Sequence, residues 1–532
     1  MSKKGAQLVD SLEAFDGPEL VIGLVGPVGA QLSIVISMIK KELKNVRYDI
    51  ETIRVSSLLH QLDCFSNLPK KCDGISEYSR IRKHMKAGTK LRTKTNKGDI
   101  MAFMAISEIR RRRAKRNKKE GKKKNVSKIP SKRTAYILRS LKHPDEITTL
   151  RDVYGDSFIA ISIYSPRECR VTYLADIISR SEQGFNINKY RQKAEKLIDI
   201  DESEENNKLG QDVSDAFPLA DLFVDVRNPR KLKSSIKRFF QAFFGYPYHT
   251  PTKDEFSMYM AQTAAYRSAD LARQVGAAVI DNAGEIQSLG WNDVPKAHGG
   301  LYCSEDKNDT RDFILGYDSS VKYKSEIITE IVRRLSEHGW IDKKKKRKNI
   351  EKLSEQLITG DDKQVLDDAQ VTNLLEYGRS VHAEMAAISD ASRRGKSLQS
   401  NTLFCTTFPC HLCARHIIAS GIRRVVYIEP YPKSQTKQLY SDSVEIDPTT
   451  SVKEKVIFEP FMGIAPRKFL QFFEHQGKRK SGKNGRKIEW LPEKSNPRIK
   501  IFALTHLIIE EQIVAKILPA ILSRYQLELT SE

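Results

Sequence analysis

Apolar positions organise the N-terminal half of the chain into alternating elements. Leu20–Leu24 is a short apolar run leading into Gly23-Leu-Val-Gly26-Pro-Val-Gly29, after which Leu32, Val35, Ile36 and Ile39 recur at helical spacing. Strand propensity returns at Tyr48–Val55 and again at Ser157–Tyr164, with helical stretches between them. That alternation predicts an α/β sheet. The acidic, polar stretch Asp199–Asn207 reads as a loop or insert before this region closes near residue 230.

A second pattern starts near Pro251. A helix is expected over Phe256–Gln274, then strands at Val275–Asp281 and Glu285–Trp291 joined by the turn Asn282-Ala-Gly284. Residues 296–370 break the pattern: they are polar and charged, include Lys343–Lys348, and read as a helical insertion. Regular structure resumes with a helix at Ser380–Ala391, a strand at Thr402–Thr406, a helix at Cys410–Ser420 and a strand at Arg424–Glu429. An apolar-aromatic segment, Val456–Phe473, follows, and residues 476–532 are expected to form a tail packing on this second domain. There is no internal repeat.

Length changes this picture little: 532 residues exceed one ordinary core, so separate domains at 15–230 and 251–475 are expected. No run of about 18 apolar residues offers a membrane span. The opening MSKKGAQLVDSLEAFDG lacks the apolar core of a secretory leader. Seven cysteines, an odd number, point to free thiols and a reducing cytoplasm rather than a disulfide framework.

Charge adds more. The formal net charge of +23 favours polyanionic partners, although a basic surface also serves solubility alone. Arg110–Lys124 holds eleven basic residues against the single acid Glu120 and is expected to face solvent or a polyanion. Such a run can hold RNA or DNA through counterion release. No aromatic residue interleaves it, so it offers no base-stacking platform.

The glycine stretch has the strand–loop–helix setting of a phosphate-binding loop, in which backbone N–H groups meet an anion at a helix N-terminus. Aligned from Gly26, however, Gln31 and Leu32 stand where G-x-x-x-x-G-K-[ST] requires Gly and Lys, and only Ser33 matches. Gly26, Gly29 and Ser33 are the candidate nucleotide-binding residues; nucleotide sensing is the functional reading and an empty retained scaffold the alternative. The segment Thr134–Val153, followed by its strand, resembles the middle of P-loop nucleotide and nucleoside kinases. Residues 15–230 therefore read as a degenerate P-loop kinase-like domain on a parallel sheet, with phosphoryl transfer disfavoured.

The densest chemistry lies further on. His382-Ala-Glu384 is followed by Pro409-Cys410-His-Leu-Cys413, the H-x-E…P-C-x-x-C pattern of zinc deaminases. A catalytic zinc takes three protein ligands and leaves a fourth position for water, and His382, Cys410 and Cys413 make that set. Both ligand groups fall at expected helix starts, where the backbone dipole favours a thiolate. Glu384, two residues beyond the histidine, is the candidate proton carrier. A lone C-x-x-C is more often a structural knuckle and a lone helical His more often a core residue, but the combination argues for one catalytic zinc. His411 and His416 are expected bystanders. Cys64, Cys72, Cys169, Cys303 and Cys405 lack a partner pattern and read as buried thiols, with a second metal at Cys303 and His298 a remote alternative.

The stretch His382–Tyr440 looks like the deoxycytidylate deaminase family: it carries Cys-Thr-Thr-Phe-Pro-Cys-x-x-Cys-Ala, then Ala-Ser-Gly421-Ile-Arg-Arg-Val-Val-Tyr, then Glu429-Pro-Tyr-Pro. Arg273-Gln-Val-Gly276-Ala and Gly290-Trp-Asn292-Asp-Val-Pro295 are similar to that family's first strands. The resemblance covers about 251–475 and implies a cytidine deaminase-like α/β/α sandwich, here with a helical insertion that free-standing relatives lack. It also implies substrate contacts at Asn292, Arg273, Ala383 and Tyr431. With the P-loop domain in front, the whole chain resembles the two-domain anti-phage deoxycytidine nucleotide deaminases of bacteria, which deplete the cytosine deoxynucleotide pool.

The mechanism so implied has zinc lowering the pKa of its water toward neutrality. Glu384 then moves a proton to N3 of cytosine and later to the departing amine, giving a uracil nucleotide and ammonia. The expected partner is a free deoxycytidine nucleotide, dCMP or dCTP, with a homo-oligomer expected and RNA a candidate regulator through the basic runs. The alternatives are a nucleic-acid cytosine deaminase, which would need exposed aromatics to stack bases, and a P-loop sensor or RNA-binding module carrying an inert zinc fold.

Overall fold

In the computed structural model, β1 (Leu20–Val25) is buried along its whole length. It lies between two other buried strands, β3 (Thr134–Leu141) and β4 (Phe158–Tyr164), both parallel to it. Continuous apolar runs of this kind suit the middle of a parallel sheet covered on both faces. β2 (Asp49–Arg54) pairs with β3, β5 (Leu222–Asp225) pairs with β4, and the short strand Gly463–Ile464 adds antiparallel to β5. The six-stranded order is Gly463–Ile464, β5, β4, β1, β3, β2. Helices Leu32–Asn45 and Pro229–Phe243 bring Val35, Ile39, Ile236 and Phe239 into the core over Leu20, Ile22 and Ile161. Described are residues 17–70, 73–203, 209–342, 349–366, 369–374, 376–431, 433–448, 454–475, 477–482, 484–499 and 505–530. The chain divides into two units, Met1–Glu255 with Met462–Glu532, and Phe256–Phe461.

Four expectations change in the first unit. β3 is a strand between β1 and β2, where the sequence pattern suggested only helical stretches before Ser157. A short apolar run such as Ala135–Leu138 has no periodicity that separates strand from buried helix. The basic run is not a solvated arm either. It forms the end of the helix Ile100–Lys119, and Ile109, Arg113 and Asn117, spaced one turn apart, are all buried. Arg113 is fully enclosed: its Nε donates to Glu19 at 2.8 Å, and its Nη2 to Glu510 at 2.8 Å. Lys115, Lys118, Lys119, Lys123 and Lys124 remain exposed.

The tail is the third correction. Met462–Glu532 groups with the N-terminal unit, not with the unit carrying the His-Cys-Cys motif. Glu510 reaches Arg113 and Tyr154, the Trp490 indole N–H donates to Phe244 O, and the Arg498 backbone N–H donates to Phe243 O. Last, Asp199–Ser203 ends the helix Arg191–Ser203 instead of opening a loop. Residues 204–207 of that stretch, and Lys343–Lys348, lie outside the described residues.

In the second unit β6 (Gly276–Ile280) and β7 (Ile286–Trp291) form the expected antiparallel hairpin. With β8 (Thr402–Thr407), β9 (Arg424–Glu429), β10 (Val444–Ile446) and β11 (Val456–Pro460) the order is β10-β11-β9-β8-β6-β7. β8, β9, β11 and β10 run parallel, and β6 is antiparallel to β8. Helices cover both faces, and two glycines permit this. A Cβ at Gly276 would stand 2.0 Å from Ala261 O, and one at Gly290 2.1 Å from Ala383 O. Because Gly290 opposes Ala277, not Gly276, the two close approaches fall on opposite faces. This is the α/β/α sandwich.

The first helix of this pattern is Lys253–Ala265, shorter than expected. Ser268 and Asp270 end it by capping backbone N–H groups in the following turn, with Ser268 Oγ accepting from Asp270 N and Asp270 Oδ1 from Ala272 N. The insertion is helical, with Ser319–Glu337 and Ile350–Ile358 meeting through Ile328, Val332 and Leu353.

Candidate metal centre

Two helix starts build the centre. His382 is the N-cap residue of the helix Ala383–Arg393, and Val381 just before it exchanges backbone hydrogen bonds with Asp293 at 2.9 and 3.3 Å. Cys410 is the N-cap residue of the helix His411–Ala419, fed from the C-terminal end of β8, and Cys413 sits in its first turn. His382 Nδ1 lies 3.3 Å from Cys410 Sγ and 3.3 Å from Cys413 Sγ. All three donor atoms lie within 4.8 Å of one another. A tetrahedral zinc with Zn–S near 2.3 Å and Zn–N near 2.0 Å spaces such donors about 3.5 Å apart, so these residues fit zinc.

The donors share protons as a thiolate-bearing cluster does. Hydrogen bonds from Cys413 and His382 hold the Cys410 thiol down to about 4. The bond to Cys410 lifts His382 to about 9 and keeps the Cys413 thiol well above its usual value. His411 and His416 are not among the converging donors, and no second group of three such donors converges among the described residues. Cys303 instead donates through its thiol to Asp306, which also pairs with Lys296.

Glu384, in the first turn of its helix, is buried with Oε2 3.5 Å from Cys413 Sγ. Burial is the main force raising its carboxyl pKa, joined by the charge on Cys410 and opposed by His382. One neighbour escaped the sequence reading. Cys405 on β8 is fully buried, its thiol pushed up by burial and hydrogen-bonded to Glu384. The only signal for it was its place in a strand whose alternate positions face the helix.

The four residues expected at the substrate divide. Asn292 spends its amide on backbone: Oδ1 accepts from Val275 N at 2.6 Å and Nδ2 donates to Arg273 O at 2.8 Å. It thereby pins the segment entering β6 to the end of β7. Arg273 is more than half exposed, with Nη1 3.7 Å from Glu429 Oε2, which also accepts from Thr407 Oγ1 at 3.1 Å. Tyr431 is half-buried; burial and the charge on Cys410 raise its hydroxyl pKa while Arg273 opposes them, so it lies within reach of both. Ala383 is fully buried with its carbonyl against Gly290.

In the N-terminal unit, Gly29 and Ser33 line a cavity of about 630 Å³. Gly29 has φ +85°, and a Cβ there would stand 3.0 Å from Arg170 O, so it serves close packing on the helix Arg167–Ser181. Gly26 is similarly tight, its Cβ position 3.3 Å from Ile163 O.

A three-donor centre with a buried carboxyl beside it, at two helix starts on one side of an α/β/α sandwich, defines a zinc hydrolase site of the deaminase class. Residues 251–429 match the family described as the cytidine and deoxycytidylate deaminase zinc-binding region. A deoxycytidylate deaminase of Enterobacteria phage T4 is 28% identical over 162 residues, covering 30% of this chain and 68% of that protein. A probable deoxycytidylate deaminase of Drosophila melanogaster is 26% identical over 175 residues, covering 33% of this chain and 58% of that protein. Among solved structures, a dCMP deaminase from the cyanophage S-TIM5 in complex with dCMP and dUMP is 17% identical, covering 40% of this chain and all (100%) of that one, with a TM-score of 0.22. Among the described residues no helix is long and apolar enough to cross a membrane.

Proposed function

We propose that the C-terminal unit hydrolytically deaminates a free deoxycytidine nucleotide, dCMP or dCTP, to the deoxyuridine nucleotide and ammonia. The observation that carries this is the buried Glu384 carboxyl beside the His382, Cys410 and Cys413 donors. Zinc held by those donors supplies Lewis-acid activation of water near neutral pH. Glu384 takes a proton from the attacking water and delivers it to N3 as the C4–O bond forms. It then takes the proton of the new C4 hydroxyl and passes it to the amine as the C4–N4 bond breaks, leaving the C4 carbonyl and ammonia. A carboxyl raised by burial suits this work, because the same group must accept and donate near neutral pH. Arg273 and Tyr431 are the groups best placed to meet the nucleotide; Asn292 acts on the substrate side mainly by holding the Arg273–Val275 backbone in place.

Such a reaction drains the deoxycytidine nucleotide pool, which is the sense in which the likeness to two-domain anti-phage deaminases puts it to use. A further partner is RNA on the exposed lysines of Lys115–Lys124, held electrostatically and released by added salt.

Ammonia release should be measured for dCMP, dCTP and a cytosine-containing oligonucleotide in one competition series. Turnover of a mononucleotide is expected. Activity on the oligonucleotide alone would replace this reading with a nucleic-acid editor, and none on any of the three, with zinc bound, would leave an inert zinc fold.

A further inference from the structure

The cavity of the N-terminal unit has a wall that the glycine loop does not explain. One amide of the loop is already taken: Val28 N donates to Asp201 Oδ2 at 2.6 Å, and Asp201 also accepts from Lys142 Nζ at 3.0 Å. A buried carboxylate thus stands against the loop amide that an incoming anion would use, and Gly29 is committed to packing against Arg170 O. With no lysine at Leu32, the loop lacks the charge that phosphate binding needs, and the Asp201 carboxylate opposes an anion beside it.

Across the cavity the charge is in excess. Arg54 ends β2 and Arg139 lies beside it on β3, and the two are register partners. Like charges directly opposite one another on a sheet are unfavourable. Both are half-buried, and neither guanidinium has a hydrogen bond or ion pair among the described residues. Arg80 on the next wall holds Glu77, with Nη2 to Oε2 at 2.7 Å, and Glu77 also raises the pKa of Arg54 and Arg139, so one carboxylate is shared among three guanidiniums. Burial lowers the pKa of both Arg54 and Arg139, and so does Arg80. The backbone is distorted at the same place: Ser140 has φ +77°, and the β1–β3 register slips between Leu24 and Val25. Strain held next to unbalanced charge is what a ligand clamp shows. Apolar and aromatic groups, Leu59, Ile81 and Tyr173, complete the lining, and the volume of about 630 Å³ is in the range of small-ligand sites.

We propose that this cavity binds a phosphorylated nucleoside, with Arg54 and Arg139 as the phosphate fork and the glycine loop serving only as scaffold. Planar guanidiniums side by side match the oxygens of a phosphoryl group, and the apolar lining accommodates the base.

The test is calorimetric binding of ATP, dGTP and inorganic pyrophosphate to the full chain; none of the three carries a pyrimidine, so neither the substrate nor the product of the deaminase centre enters the readout. Arg54→Gln with Arg139→Gln should weaken nucleotide binding at least about tenfold, whereas Ser33→Ala should change it less than about threefold. The unliganded double variant should melt at the same or a higher temperature than the parent, because a repulsion has been removed; a structural role for the arginines would lower it. Binding untouched by the double variant, equal loss in Ser33→Ala, or no binding of any probe would overturn the proposal. Pyrophosphate binding as tightly as either nucleotide would overturn the nucleoside part in favour of an inorganic anion.

Discussion

The Cys413 thiol donates to the Glu384 carboxyl across 3.5 Å, so a metal ligand and the proton carrier share one buried pocket. In that pocket the carboxyl is desolvated, close to the charge of Cys410, and flanked on the strand side by the Cys405 thiol. The chemistry therefore separates into holding metal and moving protons, and single substitutions should separate the two.

Glu384→Gln keeps the volume and loses the proton. Deamination should fall by about 10²–10⁴-fold or further, while metal analysis finds zinc still near one per chain. Normal ammonia release from this variant would remove Glu384 from the reaction.

Cys413→Ala removes one of three donors, so zinc content should drop to a small fraction of the parent and activity with it. Cys405→Ala, two positions before Thr407 on the same strand β8, should keep its zinc. Equal zinc loss in both would mean that Cys405 is a ligand.

Gly290→Ala places a methyl 2.1 Å from Ala383 O, backbone against backbone. The helix carrying Ala383 must shift, at about 3 kcal/mol or more. Because His382 adjoins Ala383, zinc affinity should fall together with the melting temperature; a variant with parental stability would refute this packing.

Arg113 sits between Glu19 and Glu510 with no exposed surface. Arg113→Met leaves two buried carboxylates facing each other and should cost about 3–5 kcal/mol. Adding Glu19→Gln and Glu510→Gln should restore much of that loss in denaturant unfolding, since the uncompensated charges are gone.

The same cluster gives a pH dependence. Arg113 lowers the Glu19 carboxyl from 4.5 to about 2 against the opposing effect of burial, with His506 and Ser131 assisting. A depressed carboxyl stabilises the fold above its unfolded pKa and loses that contribution as pH falls through the folded value. From pH 5 to 3 this amounts to roughly 2 kcal/mol. Unfolding curves should show the parent losing more stability over that range than Glu19→Gln does; parallel losses would count against it.

The metal centre was readable in the chain because its ligands are local: His382 and Glu384 share one helix start, and Cys410 and Cys413 another, so spacing alone carried their geometry. The β6–β7 hairpin and its turn were legible for the same reason. Tertiary structure decided what depends on residues distant in sequence. It put β3 between β1 and β2, buried Arg113 against Glu510, returned the tail to the first unit, turned the Asn292 amide onto backbone, and set Arg54 beside Arg139. Periodicity reports which face of an element is apolar, but not which other element covers it. A buried arginine and a solvated one have the same local sequence until their partners are in place.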